Sequence, residues 1–388
     1  MVKSRTFAWQ PSVAGSPTEI GQGNWLPQLD GVRAAAVTLV FFHHWTSARF
    51  GLGIIGVQLF FVLSGFLITE ILLRERQEVE MGRQSIGFSV RQFYARRFLR
   101  IFPLYYFCLL AFIILGRFEI RKTFLWFVCY LSNVFFCLKG VFSGPFSHFW
   151  SLAVEEQFYL FWPWVVLLTP RKRLTPMLVS AIVLAPLTRL ATYLSGHHDF
   201  VQTSTMVWAN LDTLGAGALL AVSIRGPKAR TKQAQHWLRW AVPFCALEII
   251  VSRIITASAV WVWLDPLAVA LVSVWAVWGA AAGFGGVIGK CLSHPAMVYL
   301  GRISYGLYVW HMFAPAFLRN ILHVLRLPAS FNLGVIGFIL LYAWTVAIAS
   351  LTWFLLEKPI NGLKRHFPYR ETPRFATFPL QSEVRTSL

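Results

Sequence analysis

Charge is scarce in this chain, and negative charge is scarcest. Charged residues make up 13% of the 388 positions, and only 16 Asp and Glu stand against 35 Lys and Arg. With so little charge, a hydrophobic share of 56%, 17 Trp and 34 Phe, and a mean hydropathy of +0.58, an ordinary soluble globule is excluded and a polytopic membrane protein is expected. The net charge of +19 does not signal nucleic acid, because the Lys and Arg sit in short clusters between apolar segments, as cytoplasmic loops do. Cysteine is sparse as well. Cys108, Cys129, Cys137, Cys245 and Cys291 lie in or beside apolar stretches without metal-ligand spacing, and are expected to be small buried hydrophobes rather than disulfides or ligands. No metal site is expected. No Walker loop, helix-opening GxGxxG, GxSxG elbow, HExxH or CxxC occurs, so nucleotide hydrolysis, hydride transfer and serine-hydrolase chemistry have no support. An apolar leader is also missing from residues 1–28, which are polar and contain Pro and Gly, and a loose cytosolic tail is expected there.

What is present is a series of apolar runs. A spanning helix needs about 20 such residues. Eleven segments approach this: 33–50, 54–73, 101–116, 123–138, 151–169, 175–194, 206–224, 239–257, 260–285, 297–322 and 333–356. Basic clusters sit at Arg74–Arg100, Arg117–Lys122, Arg171–Arg173, Arg225–Arg239, Lys290 and the tail from Lys358; with both termini cytosolic, the counts from the two ends agree if one segment between 101 and 138 does not cross or if one basic cluster breaks the rule. Residues 101–116 are short and open with Ile-Phe-Pro, which suits a re-entrant or tilted piece; the sequence leaves open which segment between 101 and 138 does not cross. The expected fold is all-α, with about ten transmembrane helices. A membrane domain over 29–365 is flanked by tails at 1–28 and 366–388.

Ionisable groups inside such segments are expensive and are site candidates by default. In LDGVRAAAVTLVFFHH, Arg33 and His44 are eleven positions apart, roughly 16 Å along a helix and nearly on one face. His43 points about 100° away, toward a neighbour. In HFWSLAVEEQFYLFWP, Ser151, Glu155 and Tyr159 recur at four-residue steps on one face, with His148 just ahead and Glu156 turned aside. Arg96, Arg97 and Arg100 form one cationic cluster. That cluster reads equally as a positive-inside anchor or as a site for a phosphorylated donor, since guanidinium forks match phosphate oxygens. Gly301, Ser304 and Gly306 suit close helix packing, and His311 follows deep in an apolar stretch. Asp212 is a further acid, unpaired in the sequence and beside the small-residue run GAGA, while Gln58 and Ser64 read as packing positions.

Together these blocks resemble the membrane-bound acyltransferase family three, whose members O-acylate bacterial glycans, lipopolysaccharides, Nod factors and macrolides. The resemblance covers about residues 25–365. It rests on LDGxR with His44 after ten intervening residues, GVQLFFVLSGFLI, the Arg96-Arg97-x-x-Arg100-Ile-x-Pro103 element, WSLAVEEQFY, LGRISYGLYVWH and the closing Glu357-Lys358-Pro359. One departure is that members often carry an Arg two residues before the acid matching Asp212, where this chain has Asn210. The resemblance implies an enzyme of the bacterial cytoplasmic membrane, acting on acyl-CoA, most often acetyl-CoA, as co-substrate and on a hydroxyl acceptor, with no permanently bound cofactor. In that scheme Arg96, Arg97 and Arg100 dock the donor, and His44 is the general base that deprotonates the acceptor. Glu155 orients His44, and Arg33, Ser151 or a backbone N–H faces the oxyanion. His148, Tyr159, Asp212 and His311 support the site. An acyl-imidazole on His44 is the other chemical route. The competing readings are O-acylation of a macrolide-type product and, in a different class, a transporter or flippase of lipid-linked glycan. A transporter more often shows duplicated halves, and none is visible here.

Overall fold

A computed structural model describes residues 26–46, 51–114, 119–226, 228–254, 264–324, 326 and 334–369; the two expected tails fall almost wholly outside this range. The described residues are helical, without a strand. Helices α1 (Pro27–Trp45), α2 (Leu52–Glu80), α3 (Ile86–Ile114), α4 (Glu119–Val128), α5 (Ser132–Lys139), α6 (Phe149–Leu168) and α7 (Arg171–Leu194) form the first half. They are followed by α8 (Phe200–Ser204), α9 (Leu211–Ile224), α10 (Lys228–Ile254), α11 (Asp265–Ala282), α12 (Gly286–Leu292), α13 (Pro295–Arg302), α14 (Ser304–Trp310), α15 (Ala314–Val324), α16 (Gly334–Thr352) and α17 (Lys358–Gly362).

Among the described residues, six helical stretches are long and apolar enough to cross a membrane: Leu52–Glu80, Ile86–Ile114, Arg171–Leu194, Val207–Ile224, Asp265–Ala282 and Val335–His366. The chain is a multi-pass membrane protein. The helices that carry most of the candidate chemistry, α1 and α6, are not among the six, because Asp30, Arg33, Glu155, Glu156 and Gln157 interrupt their apolarity. Protein encloses the stretch of α6 from Phe149 to Val154, every residue of which is buried, whereas Leu160, Phe161, Trp164 and Leu168 farther along are exposed. Polar side chains are tolerated at membrane depth where the protein, rather than lipid, surrounds them.

The region 101–138 departs from expectation. Residues 101–116 are not a separate short piece: through Ile114 they are the C-terminal half of the 29-residue α3. The segment 123–138 is the one that breaks, at Tyr130, whose φ of +53° lies in the left-handed region. Tyr130 stacks on Tyr105 with centroids 4.2 Å apart. The carbonyls freed where α4 ends are satisfied by side chains: Tyr105 donates to Phe127 (2.8 Å), Tyr106 to Val128 (2.9 Å) and Gln157 to Tyr130 (2.9 Å). The segment 297–322 also divides, into α13, α14 and α15. Pro315 has no N–H for the carbonyl of His311, four residues back, and Trp45 Nε1 fills that acceptor at 3.2 Å.

Close approach of backbones sets the packing of α2 on α9. A Cβ on Gly65 would fall 1.9 Å from the Leu214 carbonyl oxygen, and one on Gly217 would fall 2.0 Å from that of Val62. The GAGA run therefore is a packing face, and it seats Ser64, the neighbour of Gly65, against α6. Gly65→Ala is expected to lower stability by about 1–3 kcal/mol through forced separation of the two helices; unfolding in detergent would measure it, and an unchanged midpoint would remove this account. The cysteines are all free: Cys108 is buried, but Cys129 and Cys291 are exposed, so the expectation of buried small hydrophobes fails for those two.

Candidate active site

A cleft open to solvent, with a cavity volume of about 100 Å³, lies between α1, α2, α3, α6 and α14. Arg33, Arg97 and Arg100 line it together with Ser151, Glu155 and Tyr159, so six of the residues singled out in the sequence meet in one place. Ser64, Glu156, Ser304, Tyr305 and Tyr308 complete its polar lining.

Glu155 accepts a hydrogen bond from Ser64 Oγ at 2.6 Å, and Ser64 in turn receives one from Tyr159 at 2.8 Å. Glu155 therefore does not hold His44. The Nδ1 of His44 lies 2.9 Å from its own-helix carbonyl, Val40. A carbonyl only accepts, so this contact places the proton on Nδ1 and leaves Nε2 as the basic nitrogen. Ser64 is a hub of the cleft rather than a packing position; its hydroxyl was one of only two polar groups in its segment, and that rarity was the signal.

His44 does not line the cleft; it is exposed at the end of α1. Between it and the cleft stands a layer of aromatic and hydroxyl groups. The His311 ring is 4.9 Å from that of His44, 4.8 Å from that of His148 and 5.4 Å from that of Tyr308. Tyr308 OH and Ser151 Oγ are 2.5 Å apart, and both lie within reach of the His148 carbonyl. His148 and His311 each have one ring nitrogen on a main-chain carbonyl, Val309 at 3.2 Å and Tyr308 at 2.6 Å. His43 packs its ring over Gly53, beside a neighbouring helix as expected.

The three clustered arginines of α3, Arg96, Arg97 and Arg100, divide. Arg97 lies over the Tyr159 ring at 5.0 Å, and Arg97 and Arg100 face the cleft. Arg96 turns the other way, donating to the carbonyls of Lys364 (3.1 Å) and Phe367 (3.0 Å) and stacking on Tyr369 at 4.8 Å. Burial pushes the Tyr369 phenol up to about 12, against the pull of Arg97 and Arg96, so near neutrality its ring is uncharged. Arg33 forms an ion pair with Asp30 at 2.6 Å. Asp212 is neither unpaired nor in the cleft: it meets Arg189 of α7 at 2.6 Å. Its cationic partner thus comes from a different helix. Glu357 escaped the chemical reading of the sequence. A π-helical turn, Trp353–Glu357, places its buried carboxyl beside Gly306.

A model of an acyltransferase domain matches residues 26–354. The chain belongs to that acyltransferase family. It is 28% identical over 381 residues to the peptidoglycan O-acetyltransferase OatA of Listeria monocytogenes, covering 88% of this chain and 57% of that protein. It is 25% identical over 360 residues to the O-acetyltransferase OatA of Staphylococcus aureus, covering 87% and 57%. The chain therefore spans a little under three-fifths of the length of these curated relatives. No solved structure matches it. Within the family-matched region lie all the residues of the cleft and the histidine layer; the Lys364–Tyr369 contacts of Arg96 lie beyond it.

Proposed function

We propose that this chain is an acyl-CoA-dependent O-acyltransferase of the bacterial cytoplasmic membrane, with about ten spans and both ends cytosolic. It moves an acyl group, acetyl first among them, to a hydroxyl of a carbohydrate or glycolipid acceptor. The observation that carries this reading is the cleft itself, in which Arg97 and Arg100 share one cavity with Ser151 and Tyr308, one layer away from His44. The relatives, both O-acetyltransferases and one of them a peptidoglycan O-acetyltransferase, support the acetyl group and a glycan hydroxyl.

The chemistry follows from the geometry. Arg97 and Arg100 hold the phosphates of the donor, and its pantetheine arm runs along the cleft toward Ser151 and Tyr308. The acceptor oxygen attacks the thioester carbonyl carbon while its proton passes to Nε2 of His44. The C–S bond then breaks and the departing thiolate takes that proton from the imidazolium, so that ester and free CoA leave. The Val40 carbonyl keeps the Nδ1 proton in place throughout. Ser151 and Tyr308 are the hydroxyl donors nearest the path for the developing oxyanion, since Arg33 lies three helical turns from His44 and is committed to Asp30. Because the Ser151–Tyr308 pair stands between cleft and base, it must part for thioester and His44 to meet.

Purified protein in detergent, given acetyl-CoA and a soluble glycan acceptor, is expected to release free CoA and form the ester. A transporter would do neither, and absence of both products with folded protein would overturn the proposal. Arg97→Gln and Arg100→Gln are each expected to raise the KM for acetyl-CoA about tenfold, the scale of one charge contact. An unchanged KM would return both residues to the role of membrane-edge anchors.

A further inference from the structure

Two carboxylates of α6, Glu155 and Glu156, line the cleft, and they differ in what they hold. Glu155 accepts from Ser64 Oγ. Glu156 forms no ion pair among the described residues, and its Oε1 is shut off from solvent and accepts no hydrogen bond. Neighbouring hydroxyls of the cleft are already engaged. Tyr159 donates to Ser64, Tyr305 donates to the Ile101 carbonyl at 2.8 Å, and Ser151 and Tyr308 meet each other. Arg97 acts on both carboxylates through space but forms an ion pair with neither. A buried acceptor without a donor costs stability. On a cavity wall, that cost is recovered when a bound molecule supplies the donor.

The place of Glu156 along the cleft indicates which group that is. On α6, the Tyr159 ring lies against the Arg97 guanidinium at 5.0 Å, and Ser151 meets Tyr308 at the other end. Glu156 stands between them, about 7–8 Å along the helix from Ser151 and about 4–5 Å from Tyr159. We propose that Glu156 is a binding residue for the pantetheine arm of the acyl donor, its carboxylate accepting an amide N–H of that arm. This rests on the acyl-CoA reading above, in which phosphates lie on Arg97 and Arg100 and the thioester reaches Ser151 and Tyr308. Between those two ends the arm carries two amide N–H groups, which the arginines, being donors only, cannot receive. A phosphate only accepts, and the carboxylate repels it. Glu156 therefore suits the arm and not the phosphate end of the donor.

The test uses the full chain in detergent and reads acetyl-CoA turnover, with pantetheine and adenosine 3′,5′-bisphosphate as competing fragments of the donor. Glu156→Met is expected to raise the KM for acetyl-CoA about tenfold, the scale of one charge-assisted hydrogen bond, while kcat stays within about twofold. The inhibition constant of pantetheine should rise by the same factor. That of the bisphosphate, which lacks the arm, should not rise. Glu156→Gln keeps an acceptor oxygen and should recover most of the lost affinity. Without ligand, the unfolding midpoint of Glu156→Met should equal or exceed that of wild type, because the variant removes a buried acceptor that has no partner. Equal acetyl-CoA KM values for wild type and Glu156→Met would overturn the proposal, as would an equal rise in the bisphosphate inhibition constant. A raised KM for the glycan acceptor at an unchanged donor KM would assign Glu156 to the acceptor and overturn it too. Lowered midpoints in both variants, with no recovery of KM in Glu156→Gln, would make the residue structural and end the proposal. Failure of the underlying reading looks different: wild-type protein would then neither turn over acetyl-CoA nor retain labelled CoA, which removes both proposals.

Discussion

His44→Ala should lower kcat for acyl transfer by about 10²–10⁴-fold, the range attributable to a positioned general base, while the protein stays folded. The expectation of an intact fold is structural. The His44 ring is exposed at the end of α1, and the hydrogen bond of its Nδ1 runs to a carbonyl within the same helix. Truncation therefore strands no buried polar group and opens no cavity in the core. Glu155→Gln should behave differently. Glu155 sits on Ser64 in the cleft and not on His44, so its loss changes the cleft without resetting the tautomer of the base. The comparison is made by single-turnover transfer from labelled acetyl-CoA, with unfolding midpoints of each variant in the same detergent. Near-wild-type turnover by folded His44→Ala would end the base assignment. The same label separates the two chemical routes. A covalent acyl-histidine accumulates on wild type without acceptor and not on His44→Ala, whereas direct transfer leaves both unlabelled.

How much of this was legible in the sequence depends on how local each feature is. The i, i+4 steps of Ser151, Glu155 and Tyr159 are a property of one helix, and the structure places all three in the cleft. The cluster Arg96–Arg100 was equally legible as a cluster, but its division was not. Arg96 turns away because residues 364–369, more than 260 positions later, offer two carbonyls and a ring, and no spacing rule reaches that far. The same holds for Glu155, whose expected partner was His44 and whose actual partner, Ser64, comes from α2. The helix count suffered from a related effect. Hydropathy reads 123–138 as one apolar run, but the left-handed Tyr130 and the side chains that take up its neighbours' carbonyls end the helix. Those are tertiary contacts that override a pattern. The expectation that Asp212 goes unpaired failed because its partner, Arg189, lies on a different helix.

That pair carries the second large expectation. Arg189 and Asp212 are both buried, at 1% and 0% exposure. Arg189 also donates to the Ala209 carbonyl, and Asp212 accepts from the Thr213 N–H at 2.9 Å. Removing one partner leaves the other charged, dry and largely uncompensated, so Arg189→Met should cost about 3–5 kcal/mol of stability, and Asp212→Asn a comparable amount. Joint replacement by Arg189→Met and Asp212→Leu removes both charges and should restore most of that loss, because an apolar pair needs no compensation there. The pair holds α7 to the first turn of α9, and that same turn carries Leu214, whose carbonyl meets Gly65, the neighbour of Ser64. It thus fixes the helix against which the cleft is built without touching the cleft. The consequence for activity is specific. The double variant, if folded, should keep the wild-type KM for acetyl-CoA, whereas Arg189→Met alone should show a lowered unfolding midpoint and loss of active protein. An unchanged midpoint in Arg189→Met would show that the pair does not latch the two helices. A raised KM in a stable double variant would return Asp212 to the active site.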